Sequence, residues 1–137
     1  MYPEQQNILV VEHHQATRKL IAGILSEEGF AVTSAAEGLA ALRAVQKSHF
    51  DLIVAALDLP GALDGFTTVR RARMRLPRLR ALFTAECAPE RQCCNPDCEE
   101  FIAVPFQRRE LLGCVFELLQ RDALPGGADL VRRCRVG

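Results

Sequence analysis

The sequence contains no apolar run of the length that a membrane span requires, which is about 20 residues in a helix. Its N-terminus also lacks the charged and then hydrophobic region of a signal peptide, so we expect a cytoplasmic protein. Net charge is absent too, because 17 basic residues balance 17 acidic ones. A neutral chain has no overall field to attract nucleic acid or an anionic membrane, and we expect neither as a partner.

The CxxC pair, the commonest spacing of zinc and redox cysteines, is absent although the chain has six cysteines. The cytosol keeps thiols reduced, so we expect no disulfide framework. Ordinary core packing is the favoured interpretation of Cys114 and of the cysteines clustered at Cys87, Cys93, Cys94 and Cys98. A thiol or metal sensor built on that cluster stays open as an alternative function.

The charges are nevertheless unevenly distributed along the chain. Six arginines lie within residues 70–80, and five acidic residues lie within residues 86–100. Two oppositely charged, solvated faces are the favoured interpretation of this pattern.

Strand-like and helix-like segments alternate five times in a chain whose length of 137 residues fits one domain. The predicted strands are residues 7–12, 30–34, 52–56, 80–84 and 101–104. The predicted helices are residues 16–28, 38–47 and 66–74, a short irregular fourth helix before strand five, and a fifth helix that ends near residue 121. Such an alternation predicts a parallel sheet with helices on both faces. We expect residues 1–6 to be a polar leader, residues 7–121 the domain, and residues 122–137 a flexible tail.

The third predicted strand organises the rest. Residues 52–56 are apolar throughout, which is typical of a central parallel strand covered on both sides, and the run ends in a loop that contains Pro60, Gly61, Asp64 and Gly65. In open parallel sheets the functional crevice lies beyond the carboxyl ends of the strands. Residues 56–65 are therefore predicted to lie at the functional site.

Several motifs in a fixed order resemble the receiver domain of bacterial response regulators. They are ILVVE with Arg18 downstream, FDLIV, DGF, LFTAE, and FIA followed by PF, and together they cover about residues 7–121. The resemblance implies a flavodoxin-like (βα)5 three-layer sandwich whose five-stranded parallel sheet has the order 2-1-3-4-5. It also implies a role in two-component (phosphorelay) signal transduction.

The resemblance further implies which positions carry receiver chemistry. Receivers take a phosphoryl group from a histidine kinase onto an Asp, beside a magnesium ion held by carboxylates and a Lys that pairs with the phosphate. The matching positions in this chain are Glu12 and His13 for the two acids, Ala56 for the acceptor, Thr84 for a hydroxyl, and Val104 before Pro105 for the Lys. The peptide bond between the last two residues is cis in most of the family.

Three of these positions no longer suit phosphoryl transfer. Ala56 has no oxygen to accept phosphate, Val104 has no charge to pair with it, and His13 offers a nitrogen that magnesium disfavours. We therefore expect a degenerate phosphoacceptor pocket with no catalytic residue, weak or absent magnesium binding and no other cofactor, in a protein that is not an enzyme.

This region has two alternative interpretations, a substitute phosphoacceptor and a metal site. Asp58 lies two residues beyond Ala56 in a loop one residue longer than the family pattern, and it is the candidate for a substitute acceptor. Glu12 with His13 and His14 could bind zinc, but adjacent residues of an extended segment point in opposite directions, which disfavours a shared ion. Glu12, His13 and Asp58 remain weak metal candidates.

The sequence thus favours a protein-binding module that acts independently of phosphorylation. The expected docking face is formed by the fourth helix, fifth strand and fifth helix, with Phe101, Phe106, Leu111 and Val115 as its contact residues. The expected partners are a histidine kinase, a phosphotransfer protein or another response regulator. A homodimer through the broad apolar face of the fifth helix is a further expectation.

Overall fold

The computed structural model describes residues 5–86 and 98–120, in which five strands and four helices alternate. The strands are β1 (Asn7–Val11), β2 (Ala31–Ala35), β3 (Leu52–Ala56), β4 (Arg80–Ala85) and β5 (Glu99–Ala103). The helices are α1 (Gln15–Glu27), α2 (Gly38–Lys47), α3 (Gly65–Arg75) and α4 (Arg108–Gln120). The predicted short fourth helix and nearly all of the leader and tail lie outside the described residues, so α4 is the helix that the sequence predicts as the fifth.

All five strands form one parallel sheet in the order β2-β1-β3-β4-β5. This confirms the predicted fold class, a doubly wound α/β sheet of the flavodoxin-like order. Within residues 5–86 and 98–120, no helix combines the length and the apolar character of a membrane span.

Most predicted elements lie within one or two residues of the observed ones, and strand five departs most. β5 begins at Glu99, where the sequence predicts a start at residue 101. The strand extends because Glu99 pairs with Ala81 and Glu100 with Leu82 across the parallel ladder to β4. Two adjacent glutamates are unusual in a strand, and their β propensity is low, so the sequence pattern alone could not place them there.

The sheet has a separate apolar core on each face, because successive side chains of a strand point to opposite sides. On one face the strands pack against α2 and α3, through residues that include Leu9, Val11, Ile53, Ala55, Phe83, Val45 and Val69. On the other face they pack against α1 and α4, through Val10, Val54, Leu82, Ile21, Leu25, Leu111 and Val115. Ile8, Val10, Leu52, Val54 and Leu82 therefore face α1 and α4, whereas Ala56, the last residue of β3, packs with the core under α2 and α3.

Gly65 brings the start of α3 directly against the end of β3. Its backbone N–H donates to the carbonyl oxygen of Leu57 at 3.0 Å. A Cβ atom at Gly65 would lie 2.3 Å from the carbonyl oxygen of Ala56 and 2.9 Å from the Cα atom of Leu57. Both neighbours are backbone atoms that cannot rotate away, so a glycine is required here. Asp64 fixes the same junction, because its side chain caps α3 by accepting from the N–H of Thr67 at 2.8 Å.

We predict that Gly65→Ala lowers the free energy of unfolding by about 1–3 kcal/mol, as expected for an overpacked site. The matched control is Gly23→Ala in α1, where an added Cβ would meet nothing within 4 Å. That control should be neutral or stabilising by up to about 1 kcal/mol, since Ala favours helix over Gly. Urea unfolding of both variants makes the measurement, and equal stability of Gly65→Ala and the wild type would contradict the packing argument.

Candidate functional site

The strand register gathers the predicted pocket residues at the carboxyl edge of the sheet. Val11 pairs with Ala55, Ala56 pairs with Thr84, and Thr84 pairs with Ile102. The backbone N–H of Glu12 donates to the carbonyl oxygen of Ala35 at 3.1 Å, which carries the β1 ladder one residue further. Glu12, directly after β1, Ala56 at the end of β3 and Thr84 of β4 thus lie side by side at the carboxyl edge of the sheet.

Glu12 is held by the residues that follow it. Only 7% of the residue is exposed, and its Oε2 accepts hydrogen bonds from the backbone N–H of His14 at 2.9 Å and from the His14 ring nitrogen Nδ1 at 3.1 Å. Arg18 secures the same turn by donating from Nη1 to the carbonyl oxygens of Glu12 at 2.9 Å and His13 at 3.2 Å. The Glu12 carboxylate is therefore engaged by His14, whose own side chain is largely exposed.

The centre of the pocket has little polarity. Ala56 contributes a methyl group and is 8% exposed, and Thr84 contributes a hydroxyl and is 3% exposed. The backbone N–H of Leu57 donates to the carbonyl oxygen of Thr84 at 2.9 Å, which holds the end of β3 against β4. The matched acceptor position is thus a rigid, nearly closed site lined by a methyl group.

Val104 directly follows β5 and continues the sheet edge. Its backbone N–H donates to the carbonyl oxygen of Ala85 at 2.9 Å, and the Val104–Pro105 peptide bond is cis, as the resemblance implies. Val104 also lines a groove of about 540 Å³ together with Thr17, Leu20, Glu86, Pro105 and Phe106. An apolar branched side chain therefore stands beside the groove at the position where the family pattern has a cation.

Asp58 and the metal candidates are not brought together. Asp58 is exposed, whereas the neighbouring Leu59 and the later loop residue Leu63 are buried and anchor the loop to the core. In the part of the chain that the structure describes, no group of three His, Cys, Asp or Glu side chains is placed to hold a metal ion. Glu12, His13 and Asp58 consequently do not form such a group.

The structure corrects the predicted docking face at two residues. Leu111 and Val115 are fully buried, because they lie on the inner stripe of α4 that packs against the sheet, so they cannot contact a partner. Phe101 is half-buried, and its ring stacks on that of Phe83 with the ring centroids 5.3 Å apart. Phe106 is half-buried and lines the groove.

Sequence reasoning missed the exposed apolar residues on this side of the molecule. Leu20 is 54% exposed at the groove and Phe116 is 41% exposed on α4. Leu20 lies at the edge of the apolar stripe of α1, whose buried members are Ile21, Ile24 and Leu25. A helical pattern of adjacent apolar residues does not reveal which of them lies at the edge, so only the packing could identify Leu20 as exposed.

Arg108 links the start of α4 to the end of α1. It donates from Nη1 to Glu27 Oε1 at 2.9 Å and from Nη2 to Glu28 Oε2 at 3.2 Å. These contacts, led by the hydrogen bond to Glu27, raise the pKa of Arg108 above its ordinary value, so this link keeps its charge throughout the physiological pH range.

The cysteine cluster is described only at its last member. Cys98 lies beside Arg73, whose Nη2 is 3.5 Å from the Cys98 sulfur. Cys114 packs half-buried against the core beneath α4. The other three cysteines of the cluster lie outside the described residues, so the thiol or metal sensor stays a prediction.

Known structures share this architecture. A chemotaxis protein of Vibrio cholerae, CheY4, superposes with a TM-score of 0.73, covering 84% of this chain and 99% of its own at 22% sequence identity, which shows the fold alone. The receiver domain of the hybrid histidine kinase CckA superposes with a TM-score of 0.72 at 28% identity, covering 83% of this chain and 99% of its own.

Curated relatives and a family profile match at the level of sequence. The transcriptional regulatory protein TcrA of Mycobacterium tuberculosis is 33% identical over 123 residues, which are 86% of this chain and 47% of TcrA. The probable transcriptional regulator ycf29 of Porphyra purpurea is 29% identical over 123 residues, which are 86% of this chain and 58% of ycf29. The chain thus spans about half the length of these relatives. Residues 8–116 match the profile of the response regulator receiver domain. With the sheet order and the motifs at its carboxyl edge, this match establishes that the chain belongs to the response regulator receiver domain family of two-component systems.

Proposed function

We propose that this receiver domain has a degenerate phosphorylation site and acts by protein binding that does not depend on phosphorylation. The observation that carries the proposal is the position of Ala56, between Glu12 and Thr84 at the carboxyl edge of the sheet. A methyl group there has no lone pair with which to attack a phosphoryl group. On this proposal the domain has no catalytic residue and is not an enzyme.

The charge around the pocket supports the same proposal. A phosphoryl group brings close to two negative charges, which need fixed donors or cations in a site that excludes water. Val104 supplies neither, and its side chain lines an apolar groove. A phosphate at this edge of the sheet would therefore lack a countercharge from the side chain at this position.

Magnesium binding is expected to be lost as well. The ion demands near-octahedral oxygen coordination, usually including one or two carboxylates. Glu12 is the one carboxylate at the matched positions, and its Oε2 is already engaged by two donors of His14. His13 is exposed and offers nitrogen, so the residues present do not fit the ion.

The surface available for partners is the groove between α1 and the β5–α4 connection. Leu20 and Phe106 give it apolar walls, and the exposed Phe116 lies further along α4. A groove of this size and character suits an apolar ridge of another protein. The expected partners are a histidine kinase, a phosphotransfer protein or another response regulator, and a second copy of the domain docking on α4 is the alternative.

Incubation with a small phosphodonor and magnesium should leave the intact mass of the protein unchanged. The Ala56 methyl cannot accept a phosphoryl group, and Asp58 is exposed and has no cation at the matched position, which is occupied by Val104. A phosphorylatable receiver treated in parallel is the positive control. A mass increase of one phosphoryl group that disappears in Asp58→Asn would instead establish Asp58 as an atypical acceptor.

Ala56→Asp, which restores only the acceptor carboxylate, should lower the melting temperature and should not restore phosphorylation. Two carboxylates about 4 Å apart repel by roughly 4 kcal/mol at an effective dielectric constant of about 20, and Ala56→Asp would place a second carboxylate beside Glu12. We expect Ala56→Asp to melt at a lower temperature than Ala56→Asn, which has the same shape without the charge. Repulsion raises the pKa of the new carboxyl in the folded state, so the difference should vanish as the pH falls below about 4 and that group is protonated.

A variant that combines His13→Asp, Ala56→Asp and Val104→Lys tests whether the scaffold itself is sound. It replaces the three altered positions together, and we expect it to gain a phosphoryl group where Ala56→Asp alone does not. Thermal unfolding and intact mass, each with and without magnesium, report both effects.

For the single variants, equal melting temperatures of Ala56→Asp and Ala56→Asn at neutral pH would refute the repulsion argument.

A further inference from the structure

The face of the domain opposite the groove is strongly basic. Helices α2 and α3 pack side by side on that face of the sheet and contain no acidic residue. Their exposed basic side chains and that of the turn after α3 are here called the basic face, which consists of Arg43, Lys47, Arg70, Arg71, Arg75 and Arg78. Arg75 reaches across to α2 and donates from Nε to the carbonyl oxygen of Val45 at 3.2 Å, so the two helices form one continuous surface.

The described chain does not neutralise these charges. Two acidic residues that flank these helices in sequence have other contacts, because Asp51 accepts from the backbone N–H of Asn7 and pairs with His49, while Asp64 caps α3. Arg73 of α3 differs from these residues, because its side chain is mostly buried and forms an ion pair with Glu99. Across residues 5–86 and 98–120, no member of the basic face makes an ion pair.

The arrangement also opposes helix formation. Arg43 and Lys47 are four residues apart on α2, and Arg71 and Arg75 are four residues apart on α3. Like charges at this spacing destabilise a helix. An anionic partner would offset this repulsion, and guanidinium groups suit one that presents carboxylates or phosphates in pairs.

Two exposed apolar side chains decide between a protein and a nucleic acid as the partner. Met74 is 83% exposed, and on α3 it lies four residues after Arg70 and three after Arg71. Leu39 is 51% exposed on α2, one turn before Arg43. Met and Arg are enriched in protein interfaces, whereas proteins that bind single-stranded nucleic acid present aromatic rings for base stacking. The aromatic residue of α3, Phe66, packs its ring 4.8 Å from that of Phe83 instead.

We propose that the basic face binds an acidic amphipathic segment of a partner protein. Carboxylates of the segment pair with the arginines, and its apolar side chains cover Met74 and Leu39. Because α2 and α3 lie on the other side of the sheet from the groove, this surface is separate from the one proposed for phosphorylation-independent docking, and both can be occupied at once.

The test uses the full chain and fluorescence anisotropy with three labelled probes. The first is a helical Glu-rich peptide whose Leu residues are spaced alternately three and four positions apart, so that they form one apolar face. The second peptide has the same charge, with each Leu replaced by Gln. The third probe is a duplex DNA of similar charge. We expect the first probe to bind about tenfold more tightly than the other two, because it alone matches both the charges and the exposed apolar side chains of Met74 and Leu39. Equal or tighter binding of the Gln peptide or of the DNA would overturn the proposal.

Variants locate the site. Arg70→Glu with Arg71→Glu should weaken binding of the Leu-containing peptide by about tenfold or more, and Met74→Ser should weaken it by about threefold. The matched control is Arg109→Glu, an exposed arginine at the start of α4 on the opposite side, which should change the affinity by less than about twofold. All of these residues are exposed or on the surface, so the variants should fold, and urea unfolding checks that they do. If the affinity is indifferent to Arg70 and Arg71, or if the control weakens it equally, the basic face is not the binding site.

Discussion

The parallel register of β1, β3 and β4 is the constraint on which the rest of this structure depends. It places Glu12, Ala56 and Thr84 side by side at the carboxyl edge of the sheet. The backbone contact of Gly65 with Ala56 then holds the β3–α3 loop against the same edge. Any chemistry at this edge must use the side chains that this register supplies, and at the centre it supplies a methyl group.

On the proposal that the site is degenerate, the same geometry explains how the pocket can persist. Removing an acceptor carboxylate relieves repulsion with Glu12, because no bound cation is then needed to balance two adjacent negative charges. The remaining Glu12 carboxylate is satisfied by His14. An apolar Val104 completes the edge without an unpaired buried charge, which would be costly. On that proposal, His13, Ala56 and Val104 are mutually consistent, because none of them adds a second carboxylate or an unpaired cation beside Glu12.

Much of this could be predicted from the sequence, because the strongest signals are periodic and local. The apolar runs of β1 and β3 and the helical stripe of α2 predict the parallel sheet, and α2 and β3 have the predicted bounds. The strand order and the pocket positions follow from the resemblance to receiver domains. What failed depends on packing between distant segments. The resemblance to receivers predicts a docking face that includes Leu111 and Val115, yet the sheet covers them, while Leu20 is exposed. The two glutamates at the start of β5 join the sheet through parallel pairing with Ala81 and Leu82 of β4, which the local sequence does not indicate.

The position of each arginine on the folded surface cannot be inferred from the charge pattern along the chain. The arginines within residues 70–80 are predicted from the sequence to form a solvated surface. In the fold, the exposed ones lie on the same side of the sheet as Arg43 and Lys47 of α2, whereas Arg73 is mostly buried and pairs with Glu99. The domain therefore has two different surfaces on opposite sides of one sheet, a groove lined by Leu20, Val104 and Phe106 and a basic face that also exposes Leu39 and Met74.

The most direct test of the altered pocket is a magnesium titration of the isotope-labelled wild-type chain, followed by the backbone amide signals of Glu12, Ala56 and Thr84. The account predicts that these signals stay where they are at millimolar magnesium, moving no more than amides on the opposite edge of the sheet. Saturable shifts confined to these three residues would show that the pocket still holds the ion and would contradict the account.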